Sequence, residues 1–164
     1  VSYKAIGDYG VIGDCHSAAL VSLDGSIDWC CFPRFDSPSV FAAILDDEKG
    51  GRFSISPRCP GSSRQAYLPG TNILQTFFQT EGGGVTVTDF MPCYATAAGK
   101  LQAFHEIHRL VSCPKGEVPL QVLFQPRLDY ARATTRLEKT ASGVAAGAGE
   151  EKIALSSALP FRVE

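Results

Sequence analysis

The chain reads as short apolar or alternating runs separated by glycine, proline and polar turns. Its most informative runs are 18–23 and 26–32, joined by Asp24-Gly25. Asp-Gly between apolar runs predicts a two-residue hairpin turn with positive φ at both central positions. In that register Leu23 faces Ser26, Ser22 faces Ile27 and Leu20 faces Trp29. Leu20, Ile27, Trp29 and Cys31 then share one face, and Val21, Leu23, Cys30 and Phe32 the other. Apolar residues on both faces predict a hairpin covered on both sides.

Pro33, which lacks an N–H, ends the ladder. Ser37-Pro38 reads as an N-cap and first helical residue, with Phe41, Ile44 and Leu45 on one stripe and Gly50-Gly51 as the stop. The spacing predicts one short helix after a loop that holds Arg34, Phe35 and Asp36. Loops fixed between rigid elements concentrate function, so these three are candidates for a substrate-rim or inter-domain contact. The structural alternative is that Arg34 and Asp36 pair with each other or cap the helix.

Elsewhere Ile6 and Tyr9 are expected to tuck against the sheet. Strands are expected at 52–57, 72–80, 85–90, 102–111 and 118–125, with 131–136, 152–157 and 161–164 as further strand. Segments 59–64, 95–99, 113–117 and 143–150 read as loops or turns, and 65–69 as a short edge piece. Many short strands with one short helix predict a mainly β protein, an antiparallel β-sandwich.

A chain of 164 residues fits one domain that buries roughly 70% of its unfolded surface. The net charge of −2, without a basic block, argues against a nucleic-acid partner. No apolar run approaches the ~18 residues of a membrane span, and no signal-peptide pattern opens the sequence. The cysteines Cys15, Cys30, Cys31, Cys59, Cys93 and Cys113 are not spaced as a compact disulfide framework. Free thiols in a reducing cytoplasm are the expectation, with no metal and no cofactor.

Candidate chemistry is sparse. His105-Glu106-Ile107-His108 is one residue short of a helical zinc motif, and in a strand its histidines point apart. Asp14 and His16 share a strand face and form a candidate structural pair, while Cys15 and Ser17 point the other way and offer no nucleophile. Glycoside hydrolysis needs two carboxyl groups flanking the scissile bond, one with a raised pKa. Asp46-Asp47-Glu48 reads as a solvated helix end and Asp24 and Asp28 flank a turn, so no catalytic residue is assigned.

Tyr9-Gly10, Ile12-Gly13-Asp14-Cys15-His16, Ala18-Ala19-Leu20-Val21, Asp24-Gly25-Ser26-Ile27-Asp28-Trp29 and the run from Pro33 to Phe41 resemble the N-terminal domain of bacterial family 15 glycoside hydrolases. These are the glucoamylase-like and trehalase-like enzymes. Pro126-Arg127-Leu128-Asp129-Tyr130 is similar to a later Pro-Arg-Phe-Asp-Tyr-Gly element of that domain, with Leu128 in place of Phe and Ala131 in place of Gly. The resemblance implies a supersandwich-like accessory domain over 1–164, followed by an (α/α)6-barrel catalytic domain beyond residue 164. It also implies inverting hydrolysis of an α-glucoside by two carboxylates in that barrel. The partners would be the barrel and, through it, the substrate; this chain alone would be inactive. The alternatives are a carbohydrate-binding module or a protein-interaction module. The carbohydrate-binding module would expose Tyr67, Tyr94 or Tyr130, Trp29 being expected buried; an exposed apolar patch would fit either the accessory domain or the protein-interaction module.

Overall fold

The computed structural model describes residues 3–158. In chain order its strands begin with β1 (Tyr9–Gly13), β2 (Ala18–Ser22), β3 (Ser26–Cys31), β4 (Ser39–Phe41) and β5 (Arg52–Pro57). Then come β6 (Gly61–Tyr67), β7 (Leu74–Thr80), β8 (Gly83–Phe90), β9 (Cys93–Ala95) and β10 (Leu101–Ala103). The last are β11 (His108–Gly116), β12 (Leu120–Gln125), β13 (Arg136–Lys139), β14 (Gly143–Ala148) and β15 (Glu151–Ser156). One sheet runs β1-β2-β3-β5-β12 with β4 added to β3, and a second runs β11-β8-β7-β6. A β9-β10 hairpin and a β13-β14-β15 ribbon complete the topology.

The two larger sheets form an antiparallel β-sandwich, as the run lengths and turn signals predicted. Ile12, Ala19, Val21, Ile27 and Ile55 of the first meet Leu74, Phe78, Val85 and Val87 of the second in one core. In β7 the inward positions are Leu74, Thr76, Phe78 and Thr80, the period-two burial of a sheet with one covered face.

One charged side chain crosses this core. Arg109 of β11 donates from Nε to Asp89 Oδ1 at 2.8 Å and from Nη2 to Oδ2 at 3.2 Å. It also donates to the carbonyls of Phe53 (2.6 Å) and Gly25 (2.7 Å) in the opposite sheet. Its guanidinium lies 4.7 Å from the Phe53 ring centroid. Both members of the ion pair are buried, and their hydrogen bonds are satisfied.

The first hairpin differs from its expected register. Among its turn residues only Gly25 has positive φ (+80°), and its N–H bonds to Ser22 O at 2.8 Å, so the loop has three residues, 23–25. This is the type I turn with a left-handed glycine that three-residue hairpin loops favour. Val21 therefore faces Ile27 rather than Ser22 facing it, and a bulge beyond Ile27 restores Leu20 opposite Trp29. The bulge moves Ile27 to the side of Val21 and Cys30, and all three are fully buried. The expectation that both faces are covered holds around Asp28, which is packed beneath the N-terminal lead-in and the 42–50 turn. Ile44 N–H donates to Asp28 O at 3.1 Å, and Tyr3 OH to Leu45 O at 3.2 Å.

The helix expected after Ser37 does not form. Ser39, Val40 and Phe41 instead pair with Cys30 and Cys31 of β3, because β-branched and aromatic side chains here gain burial on a sheet edge. Ser37 Oγ accepts the Arg34 N–H rather than capping a helix, and Asp46 Oδ1 accepts from the N–H groups of Glu48 and Lys49 in a tight turn. Helical structure among the described residues is limited to the 3-10 turns Ile6–Asp8 and Asp129–Ala131. Ile6 is exposed rather than tucked in, while Tyr9 is half-buried in β1.

Five loop or strand expectations also change. Of 59–64, residues 61–64 form the first part of the exposed edge strand β6. The run 102–111 is broken at 104–107, where His105 adopts φ 55°. Strand β11 continues through 113–116 across a bulge. Residues 143–150, read as a loop, supply β14, whose small side chains let Val144 and Ala146 bury against the core. Of 131–136, only the last residue is strand, and 161–164 lie outside the described residues.

Strands β11 and β12, joined through residues 117–119, end the second and first sheets respectively. They leave Leu110, Val111, Val122 and Leu123 exposed.

Candidate functional site

Three segments converge at one end of the first sheet. They are the β1–β2 turn (14–17), the β3–β4 loop (32–38) and the 104–107 break. Asp14 lies in the turn rather than on a strand, since β1 stops at Gly13 and Cys15 takes a left-handed φ of 67°. Its carboxylate is fully buried, and Oδ1 accepts from the N–H groups of His16 (2.9 Å) and Ser17 (2.8 Å). Asp14 and His16 are thus in contact through the backbone, not as a carboxylate–imidazole pair. Ser17 Oγ donates to Cys31 O and fastens the turn to β3.

The imidazole beside Asp14 belongs to His105, whose Nδ1 lies 3.8 Å from Asp14 Oδ2. That oxygen is buried and has no hydrogen-bond partner. The His105 ring stands edge-on to His16, centroids 5.6 Å apart at 86°. Glu106 does not compete for it, being bonded to His108 Nε2 at 2.9 Å. The 32–38 loop is tied to the same turn by a 2.9 Å bond from Phe35 N–H to His16 O. Its Arg34 and Asp36 form a bidentate pair at 2.9 and 3.1 Å in the open, with side chains about two-thirds exposed. Phe35 is exposed beside them.

An open cleft of about 950 Å³ starts at these segments. Phe32, Pro33 and Pro38 line one side, 104–110 another and β15 a third. Its floor includes Phe41, Phe53 and Phe124, whose rings pack with centroids 5.4 to 6.3 Å apart. At the mouth Phe104 pairs with Tyr94, centroids 5.7 Å apart, and both rings are half-exposed. An aromatic, mostly apolar hollow with a few fixed polar groups suits a small organic ligand.

A second polar cluster is fully satisfied. Lys4 Nζ donates to Ser22 Oγ (2.9 Å), Asp24 Oδ1 (2.9 Å) and the buried Asp28 Oδ2 (2.8 Å). Tyr9 OH also donates to Asp28 Oδ2, at 2.9 Å. Burial and this carboxylate hold the Tyr9 phenol far above its ordinary range, so it remains a donor. The cluster locks the lead-in onto the first hairpin. All six cysteines are free, and burial pushes the Cys30 and Cys31 thiols up, keeping both neutral. Among the described residues no group of three or more His, Cys, Asp and Glu side chains could hold a metal ion. No helix among them is long and apolar enough to cross a membrane.

Sequence reasoning named Asp14, His16, Arg34, Phe35 and Asp36, which the structure places around these converging segments, but missed the meeting of Asp14 with His105. The available signal was the His-rich run itself, which reads differently once 104–107 is a break rather than a strand.

The family model described as trehalase-like, N-terminal matches residues 2–163. The chain belongs to this family. The resemblance carried by 9–41 and 126–130 therefore extends over almost the whole trehalase-like domain. It is 36% identical over 163 residues to a trehalase of Thermoplasma volcanium, covering 98% of this chain and 26% of the relative. A trehalase of Mycolicibacterium smegmatis is also 36% identical, over 173 residues, covering 96% and 25%. One from Mycobacterium tuberculosis is 35% identical over 159 residues, covering 85% and 22%. The trehalase-like domain thus spans about a quarter of the length of these relatives. No solved structure matches it.

Proposed function

We propose that this is the non-catalytic N-terminal domain of a larger trehalase-type glycosidase, and that its converging loops form part of the rim of the active site. In this reading an (α/α)6-barrel follows the domain and supplies the two carboxylates that hydrolyse an α-glucoside with inversion. The observation that carries the reading is the convergence of 14–17, 32–38 and 104–107 beside an aromatic cleft. The family match supports a glycosidase as the parent. The carboxylates of the cluster are engaged structurally: Asp36 holds Arg34, and Asp14 holds the turn. Six free thiols support a reducing compartment, the cytoplasm.

The test is glucose release from trehalose, maltose and longer α-glucans by the full-length enzyme and by its Arg34→Ala and Asp36→Ala variants. Loss of one charge-assisted contact raises KM about tenfold. The thermal midpoint stays unchanged, because an exposed pair contributes little to stability. Kinetics indistinguishable from the parent overturn the rim assignment.

A second reading, a carbohydrate-binding surface, is favoured by the exposed Tyr94–Phe104 pair at the mouth of the cleft. Tyr67 and Tyr130 are exposed too, while Trp29 is half-buried and offers no platform. Saccharide binding by this chain together with silent Arg34 and Asp36 variants in the full-length enzyme separates this reading from the first.

A further inference from the structure

Asp14 Oδ2 is the one buried carboxylate oxygen among the described residues without a hydrogen-bond partner, and His105 Nδ1 lies 3.8 Å from it. A buried acceptor left unpaired is destabilising, which favours any arrangement that gives it a donor. His105 supplies one when its proton is on Nδ1 and the ring closes the gap by about 1 Å. In that tautomer Nε2, on the far edge of the ring, is a lone-pair acceptor. His105 lines the cleft, and its ring is braced by His16.

We propose that Asp14 and His105 form a dyad whose Nε2 accepts a hydrogen bond from a hydroxyl of a saccharide seated in the cleft, with an apolar face of the sugar against Phe104. The ligand class follows from the donor–acceptor arithmetic: with Nδ1–H committed to Asp14, Nε2 is left to accept from a donor. The neighbouring Phe104 ring is half-exposed and offers an apolar surface, and a pyranose carries both hydroxyl donors and apolar faces. His105 is the ligand-contacting residue, and Asp14 acts through it as a positioning residue. The inference rests on the glycosidase reading only for the origin of the sugar.

The test uses this chain labelled with 15N-histidine and trehalose as the probe, read by long-range 1H–15N spectra of the imidazoles. The expected result is an Nδ1–H tautomer for His105 and a saturable shift of its Nε2 resonance by trehalose. In Asp14→Asn the amide oxygen keeps accepting from His16 and Ser17, which turns the NH2 towards His105. The tautomer then inverts to Nε2–H, and trehalose affinity falls about tenfold with the remaining spectrum retained. In His105→Asn, a residue that tolerates left-handed backbone, affinity falls by a similar factor. An Nε2–H tautomer in the parent chain, or no saturable shift of any imidazole, overturns the dyad. Silent Arg34 and Asp36 variants in the full-length enzyme, alongside a trehalose-responsive His105, would instead remove the rim reading and leave the dyad standing.

Discussion

Asp129, Tyr130 and Ala131 have φ of 53°, 54° and 59°, three successive non-glycine residues in the left-handed region. Each costs roughly 1–2 kcal/mol relative to right-handed backbone. The related Pro-Arg-Phe-Asp-Tyr-Gly element ends in glycine where this chain has Ala131, so the departure falls on a residue whose backbone favours glycine. Ala131→Gly is expected to raise stability by about 0.5–1 kcal/mol, seen as a higher urea midpoint with unchanged slope. No change, or a loss, would mean that the added unfolded-state freedom outweighs the relieved strain. At this scale the sequence was readable where residue type constrains geometry: Gly25 at a turn, Arg34 with Asp36. It was opaque where two residues 91 positions apart, Asp14 and His105, become neighbours only through tertiary structure.

Among the elements, the strands legible in the sequence were those with strong alternation and a clear turn after them, such as β5, β7, β8 and β12. The helix expected after Ser37 failed because its cap signal was local, whereas pairing with Cys30 and Cys31 is long-range and buries Val40 and Phe41. Strand β14 was missed for the opposite reason. Alanine and glycine carry little β preference, and its ladder exists because β13 and β15 flank it. The first turn makes a measurable prediction of its own. Desolvation pushes the Asp24 carboxyl up, but hydrogen bonds from Lys4 and Ser22 and the Lys4 charge outweigh it, leaving a net shift below the ordinary value. A depressed folded-state pKa stabilises above the unfolded value and loses that contribution as pH falls through the folded one. Asp24→Asn should therefore lower the urea midpoint modestly at pH 7, and the difference should shrink below about pH 4. A pH-independent difference would assign the effect to packing instead.

For the molecule as a whole, Arg109 is the buried charged side chain that joins the sheets, through Asp89 on its own side and the carbonyls of Phe53 and Gly25 across the core. Arg109→Ala leaves Asp89 buried and unpaired. The expected loss is about 3–5 kcal/mol in denaturant unfolding. Arg109→Leu combined with Asp89→Leu, which removes both charges, should recover a large part of it. Equal losses in the single and double variants would place the stabilisation in the backbone contacts alone. The sandwich class was legible from run lengths and turns, but this bridge was not, because Arg109 sits in a run that otherwise reads as an ordinary strand.

The flank where β11 and β12 end their sheets gives the domain a socket. Each strand carries a row of outward N–H and C=O groups beside exposed apolar side chains, Leu110 and Val111 on one and Val122 and Leu123 on the other. A short peptide of alternating apolar and polar residues, supplied in trans or spliced into the 117–119 connection, has two ladders to extend. That makes this flank the place to graft a complementing tag.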